Sequence, residues 1–190
     1  MLENIEEYAR INKIPIMEKD GIEFLINYVK DNNIHSILEI GSAIGYSAIR
    51  VALIDSDIFI TTIERDEARY IEALNNINNF KLNDQIEIIN DDAFNVSLDR
   101  KYDLIFIDAA KSQYIKFFEK FKDNLNESGV IISDNLNFHG LVNSTKKIES
   151  RNVRGLVRKL RSYIQFLKDS EEFDTKFVDI GDGISISRKK

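Results

Sequence analysis

The sequence predicts an α/β fold, a doubly wound and mostly parallel sheet with helices on both faces and an antiparallel last strand. Three observations carry this. Between residues 36 and 132, short apolar β-like runs alternate with amphipathic helix-length segments, the pattern of consecutive βαβ units. The chain ends in two further β-like runs joined by Gly181-Asp182-Gly183, a hairpin signal that reverses the last strand. No Gly/Ser/Pro-rich linker or internal repeat divides the 190 residues, of which 43% are hydrophobic and 31% charged, so one domain with a full core is the simplest partition.

The elements follow in order. Residues 2–14 read as an amphipathic helix with Ile5, Tyr8, Ile11 and Ile14 on one side, ended by Pro15, the single proline. A second helix runs from about Asp20 to Lys30. Strand Ser36–Ile40 enters a glycine turn and helix Tyr46–Ile54. Strand Ile58–Ile63 precedes helix Asp66–Asn79, and strand Ile86–Ile89 precedes a short helix near Phe94. Strand Leu104–Ile107 precedes helix Gln113–Asn124, and Val130–Ile132 closes the alternation. A long helix from about Lys146 to Lys168 leads to the strands Lys176–Ile180 and Ile184–Ser187.

Composition removes several classes of chemistry. With no cysteine there are no disulfides, thiolate metal sites or cysteine nucleophiles, which fits a reducing cytoplasm. The acidic start Met1-Leu-Glu-Asn-Ile-Glu-Glu is unlike a signal peptide, and no apolar run reaches membrane-spanning length, so a cytoplasmic protein without a membrane partner is expected. The two histidines, His35 and His139, are not placed with the carboxylates, which argues against histidine-ligated zinc.

The residues that carry chemistry sit at strand ends. Phe106-Ile107-Asp108-Ala109-Ala110-Lys111 and Ser133-Asp134-Asn135 each follow a buried-looking apolar run. In an open α/β sheet the carboxyl ends of neighbouring strands face one crevice, so Asp108, Asp134 and Asn135 can converge there. Three hard oxygen donors suit Mg²⁺ or Ca²⁺ far better than a soft, thiolate-loving metal, with Mn²⁺ as a substitute for Mg²⁺, and Lys111 stands beside them to help a hydroxyl lose its proton. Capping and turn formation are the ordinary uses of strand-end Asp and Asn. Three such residues at two strand ends, with the lysine, favour a metal site instead.

The first strand ends in Glu39-Ile-Gly41-Ser-Ala-Ile-Gly45-Tyr-Ser47. A dinucleotide fingerprint needs glycine at position 43, where this chain has Ala, so the close approach of a diphosphate is missing. Glu39 in the same turn would repel a diphosphate but attract a cation, as the phosphate-free sulfonium S-adenosylmethionine is. Glu64 ends the second strand, where an acid binds ribose hydroxyls, and Asp92 follows the third, where it can accept from an adenine amino group.

With these motifs in place, the chain resembles the metal-dependent class I S-adenosylmethionine O-methyltransferases of the catechol and caffeoyl-CoA type. The resemblance spans nearly the whole chain and rests on Glu39-Ile-Gly41-x-x-x-Gly45-Tyr-Ser47, Ile63-Glu64, Asp91-Asp92-Ala93, Phe106-Ile-Asp108-Ala-Ala-Lys111 and Asp134-Asn135. It implies a single-domain Rossmann-like fold over residues 1–190 with seven strands, and Asp108, Asp134 and Asn135 holding Mg²⁺. Glu39, Gly41, Gly45, Ser47, Glu64, Asp92, Ala93 and Asp108 would contact S-adenosylmethionine, and Lys111 with Asp108 would act on the accepting hydroxyl. Residues 1–30 would supply N-terminal helices and a lid, closing through Pro15-Ile16-Met17. The family habit implies a homodimer.

Within that family the chain is similar to the bacterial branch that methylates 5-hydroxyuridine at the tRNA wobble position to 5-methoxyuridine. That similarity rests on Ile14-Pro-Ile-Met17, the loop Asn135-Leu-Asn-Phe-His-Gly-Leu-Val142, Arg154-Gly-Leu-Val-Arg158 and Gly181-Asp-Gly-Ile-Ser-Ile-Ser187. Charge distribution points the same way. The net charge is −6, yet residues 144–162 hold seven basic residues and one acid, about +6, leaving about −12 elsewhere. On the basic amphipathic helix expected over 144–168, Arg151, Arg154, Arg158 and Arg161 share one face, while Val153, Leu156, Val157, Leu160, Ile164 and Leu167 share another. An arginine row beside a crevice suits phosphates, so a tRNA anticodon loop is the expected substrate; Tyr46, Tyr114, Phe138 and Tyr163 could stack on bases but read first as core or rim packing. A small-molecule catechol or phenol methyltransferase is the alternative, since catechols and 5-hydroxyuridine both offer two neighbouring oxygens. A non-catalytic RNA-binding protein on the same fold is a third.

Overall fold

In the computed structural model, which describes residues 1–144 and 148–190, the chain builds one seven-stranded sheet in the order β3-β2-β1-β4-β5-β7-β6. The strands are β1 (Ser36–Ile40), β2 (Phe59–Glu64), β3 (Ile86–Asn90), β4 (Tyr102–Ile107), β5 (Leu125–Ser133), β6 (Phe173–Val178) and β7 (Ile184–Lys189). The helices are α1 (Leu2–Asn12), α2 (Lys19–Asp31), α3 (Tyr46–Ala52), α4 (Glu67–Phe80), α5 (Tyr114–Phe121) and α6 (Arg151–Lys168). Strands β1 to β5 pair in parallel. Strand β7 runs antiparallel to both β5 and β6, so it alone is reversed, as the hairpin signal predicted. Order reverses between β1 and β4, and ligand crevices open at such a switch point.

The alternation works because the central strands are buried on both faces. β1 and β4 read Ile37-Leu38-Glu39-Ile40 and Leu104-Ile105-Phe106-Ile107, all buried. One apolar cluster packs α1, α2 and α3 on one face, with Ile22, Ile44 and Ile49 fully enclosed. The other packs α5 and α6 on the opposite face, with Phe118, Phe121, Leu160 and Tyr163. Rings in that second layer meet edge-on, Phe118 against Phe173 at 5.0 Å and Tyr114 against Tyr163 at 5.3 Å.

Several boundaries differ from the sequence reading. No helix forms near Phe94. Asp92 Oδ1 accepts from the Phe94 N–H and the Asp92 carbonyl from the Asn95 N–H, so the chain makes a side-chain-stabilised turn. The helix expected from Gln113 is α5 flanked by two 3₁₀ turns, Lys111–Gln113 and Lys122–Asn124. β6 begins at Phe173, whose buried ring anchors the sheet edge. α6 starts at Arg151, because the Ser150 hydroxyl accepts from the Val153 N–H and caps it there. Lys146 and Lys147 of the expected basic helix lie outside the described residues. Among the described residues, no helix is long and apolar enough to cross a membrane.

Candidate active site

A cleft of about 390 Å³ opens over the carboxyl ends of β1, β2, β3 and β4, within the size range of small-molecule sites. Its floor is the β1–α3 turn. Gly41 adopts φ +97°, and a Cβ there would lie 2.4 Å from the Asp108 carbonyl oxygen, so only glycine lets the turn pass beneath the β4 end. Ser42 is buried beside it, and its hydroxyl has no hydrogen-bond partner. An orphaned donor in a cleft wall is what a ligand carboxylate or hydroxyl would satisfy.

Glu64 closes β2 with its carboxylate fixed by two backbone donors, Ala43 N–H at 2.9 Å and Asp66 N–H at 2.9 Å. Remaining lone pairs face the cleft, as ribose recognition requires. Beyond it Asp92 and Ala93 line the wall, and Phe94 stacks on Phe117 at 4.8 Å and 11°. Met17, with Pro15 and Ile16, lines the opposite wall from the α1–α2 connection. Gly21 of α2 makes room for it, since a Cβ there would meet Met17 Cε at 3.2 Å.

At the far end the register pairs Ile107 with Ser133, so Asp108 and Asp134 leave neighbouring strands side by side. Asn135, in the left-handed region at φ +63°, turns its carboxamide back over both: Nδ2 donates to Asp134 Oδ2 at 2.8 Å and lies 3.4 Å from Asp108 Oδ1. Burial pushes the Asp134 carboxyl up to about 7, and the Asp108 charge adds to the rise. Burial also raises Asp108, against the pull of Lys111. The Asp108 charge disfavours that of Asp134, and with the Asn135 amide turned so that its oxygen rather than Nδ2 faces them, the two carboxylates and the carboxamide form a donor set a hard divalent cation would neutralise. Among the described residues no three His, Cys, Asp or Glu side chains gather, so the set stands on these two carboxylates and the carboxamide. Beneath it the buried Tyr114 hydroxyl donates to the Asp134 carbonyl at 3.1 Å.

The structure thus brings Met17, Gly41, Ser47, Glu64, Asp92, Ala93, Asp108, Lys111 and Asn135 to one cleft, with Asp134 directly behind. Glu39 is placed differently. It lies under the floor, 2% exposed, where both carboxyl oxygens accept hydroxyls, from Ser47 and Thr62. Burial raises its pKa to about 7. Its part is to hold Ser47, which does line the cleft, and a direct ligand contact is corrected accordingly. Gly45 (φ +81°) shapes the α3 start against Ala73 without lining the cleft. Ser42, Arg65, Arg69 and Phe117 line the cleft although the sequence did not single them out. Arg65 lies 3.6 Å from Asp92, a pairing across two strand ends that no local motif announces.

The arginine row is exposed along α6, but its members differ. Arg161 donates to the Val142 carbonyl at 2.9 Å and the Ser144 carbonyl at 3.1 Å, and Arg154 to the Ile148 carbonyl at 3.0 Å. Arg161 braces the loop after the Asp134-Asn135 pair, and Arg154 braces the segment just ahead of its own helix. Arg151 and Arg158 remain directed to solvent. Tyr114 and Tyr163 are buried in the core, as core packing predicts, and Tyr46, although it lines the cleft, is buried too, its hydroxyl bonded to Glu6 and Arg50.

The chain is similar over nearly its whole length to known methyltransferases. The chain is 28% identical to Tapetum-specific methyltransferase 1 of Arabidopsis thaliana and 27% identical to a caffeoyl-CoA O-methyltransferase of Populus kitakamiensis, each over 97% of this chain and 82% of the relative. A Staphylococcus aureus crystal structure, provisionally named a caffeoyl-CoA O-methyltransferase, superposes with a TM-score of 0.93 at 39% identity, covering 100% of this chain and 92% of that one. A Bacillus cereus O-methyltransferase in complex with S-adenosylhomocysteine superposes with a TM-score of 0.82 at 25% identity, covering 100% and 90%. The family model for O-methyltransferases matches residues 1–190, and the chain belongs to this S-adenosylmethionine-dependent O-methyltransferase family.

Proposed function

We propose that the protein is a divalent-metal-dependent O-methyltransferase that methylates a hydroxyl with a second oxygen on the adjacent carbon. The observation that carries this is the convergence of Asp108, Asp134 and Asn135 at the edge of the cofactor cleft. Those three residues would hold Mg²⁺ or Mn²⁺, and Met17, Gly41, Ser47, Glu64, Asp92 and Ala93 would seat S-adenosylmethionine. When bound, the ion lowers the pKa of an acceptor hydroxyl and the cofactor offers its methyl group. S-adenosylmethionine held there would supply the methyl carbon, the new O–CH₃ bond replacing the S–CH₃ bond and the sulfonium becoming a thioether. Lys111, at the start of the 3₁₀ turn beside Asp108, takes or electrostatically eases the departing hydroxyl proton. Burial of the donor set and the fixed Glu64 carboxylate keep both reactants aligned, which supplies much of the rate.

The caffeoyl-CoA named for the Populus relative favours a small catechol-like phenol as acceptor. A second reading, 5-hydroxyuridine in a tRNA anticodon loop, keeps the same chemistry and is favoured by Arg151 and Arg158, free on the basic face of α6. The test supplies labelled S-adenosylmethionine and Mg²⁺ with either a catechol or tRNA rich in 5-hydroxyuridine. EDTA-sensitive monomethylation of the catechol supports the first reading. Conversion of 5-hydroxyuridine to 5-methoxyuridine without catechol turnover supports the second. Transfer that resists EDTA, or no transfer to either, overturns the proposal.

A further inference from the structure

The loop that follows Asn135 is fastened from a distant part of the chain. The Leu136 N–H donates to the Gly183 carbonyl at 2.9 Å and the Asn137 N–H to the Asp182 carbonyl at 2.7 Å. The His139 N–H donates to Asp182 Oδ1. Phe138 and His139 both sit at positive φ, +46° and +54°, conformations that need such an external hold. Gly183 allows the close dock, for a Cβ there would stand 3.0 Å from the Asn137 nitrogen. Asp182 is 6% exposed, and its second oxygen, Oδ2, has no hydrogen-bond partner and lies 3.8 Å from His139 Nδ1. A carboxylate buried with half its capacity unused is costly, and a fold retains one where its geometry is needed.

We infer that Asp182 is a positioning residue for the metal end of the site: from the β6–β7 turn it clamps the 136–142 loop and so fixes the backbone that aims the Asn135 carboxamide. The inference rests on the proposed metal-dependent reading. It acts through the backbone, with no contact to substrate. Arg161 holds the far end of the same loop through Val142, so the segment is pinned from both the β6–β7 turn and α6.

The test compares wild type with Asp182→Ala and Asp182→Asn by amide hydrogen exchange in the metal-free protein, and by Mn²⁺ and S-adenosylhomocysteine titration. In Asp182→Ala, exchange at 136–139 accelerates roughly tenfold while β5 and α6 stay protected. Mn²⁺ affinity falls roughly tenfold, and metal-free S-adenosylhomocysteine affinity is unchanged. Asp182→Asn, which keeps the acceptor oxygen, restores both. If Asp182→Ala does not fold, Asp182→Ser, with a polar atom too short to reach His139, takes its place. Unaltered loop exchange overturns the inference, as does equal weakening of Mn²⁺ and S-adenosylhomocysteine, which marks a general structural role. Failure of the wild type to bind Mn²⁺ refutes the metal reading instead, while the exchange comparison still judges whether Asp182 clamps the loop.

Discussion

Glu39 makes the apo protein lose stability as pH rises. Its carboxyl is fully enclosed beneath the β1–α3 turn, and burial lifts its pKa from 4.5 to about 7 despite hydroxyl bonds from Ser47 and Thr62. In the unfolded chain the same group ionises near 4.5. Between these values the folded state holds a proton that the unfolded state has released, so stability is full below pH 4.5, declines as pH climbs toward 7, and levels off above. A gap of about 2.5 pKa units corresponds to about 3 kcal/mol. Glu39→Gln removes the titration while keeping an acceptor and a donor for the two hydroxyls. Urea unfolding of both proteins with EDTA, from pH 4 to pH 8.5, isolates the effect, because Asp134 and other titrating groups are common to both. The stability difference between variant and wild type should grow by about 3 kcal/mol in favour of Gln across that range. A difference that stays flat with pH would show that Glu39 is ionised in the folded protein and refute the reasoning.

Gly41→Ala places a Cβ against the Asp108 carbonyl at a φ of +97°, and should cost about 3 kcal/mol together with most S-adenosylhomocysteine binding. Calorimetric melting and titration check this, and wild-type cofactor affinity would contradict the close-approach argument. Asp134→Asn should lower Mn²⁺ affinity at least about tenfold and match the effect of EDTA on turnover; paramagnetic resonance of bound Mn²⁺ reads it, and unchanged affinity counts against the metal set. Arg158→Glu should leave catechol turnover within about twofold, as a solvent-facing substitution does, while strongly reducing any tRNA methylation; parallel assays of both acceptors separate the two readings.

The parts of the site that are local in sequence were legible. Asp108 and Asp134 each follow an apolar run, and the parallel pairing that alternating βαβ units impose puts both at the same end of the sheet, where the register sets Ile107 against Ser133. The Gly41 turn and Glu64 were legible for the same reason. Glu39 was misplaced because the strand period determines its face but not its depth: at the end of a central strand, residues on both faces are buried. The helix expected near Phe94 is a turn because Asp92 takes the Phe94 N–H on its side chain and the Asn95 N–H on its carbonyl, and the chain stops after one turn.

The acceptor end was least legible, and α6 shows why. Charge and spacing place Arg151, Arg154, Arg158 and Arg161 on one face, and that holds in the fold. Spacing says nothing about which guanidinium is already occupied. Arg161 donates to carbonyls of the loop after Asn135, itself fastened to the β6–β7 turn about 45 residues later in sequence, and Arg154 to the carbonyls of Ile148 and Glu149 just ahead of its own helix. A row that looks uniform in sequence is therefore split by tertiary structure into two braces, Arg154 and Arg161, and two solvent-facing arginines, Arg151 and Arg158. Any phosphate recognition rests on the second pair. Removing Arg161 would disturb the acceptor loop whatever the substrate, so only Arg151 and Arg158 can report on the acceptor without also reporting on the loop.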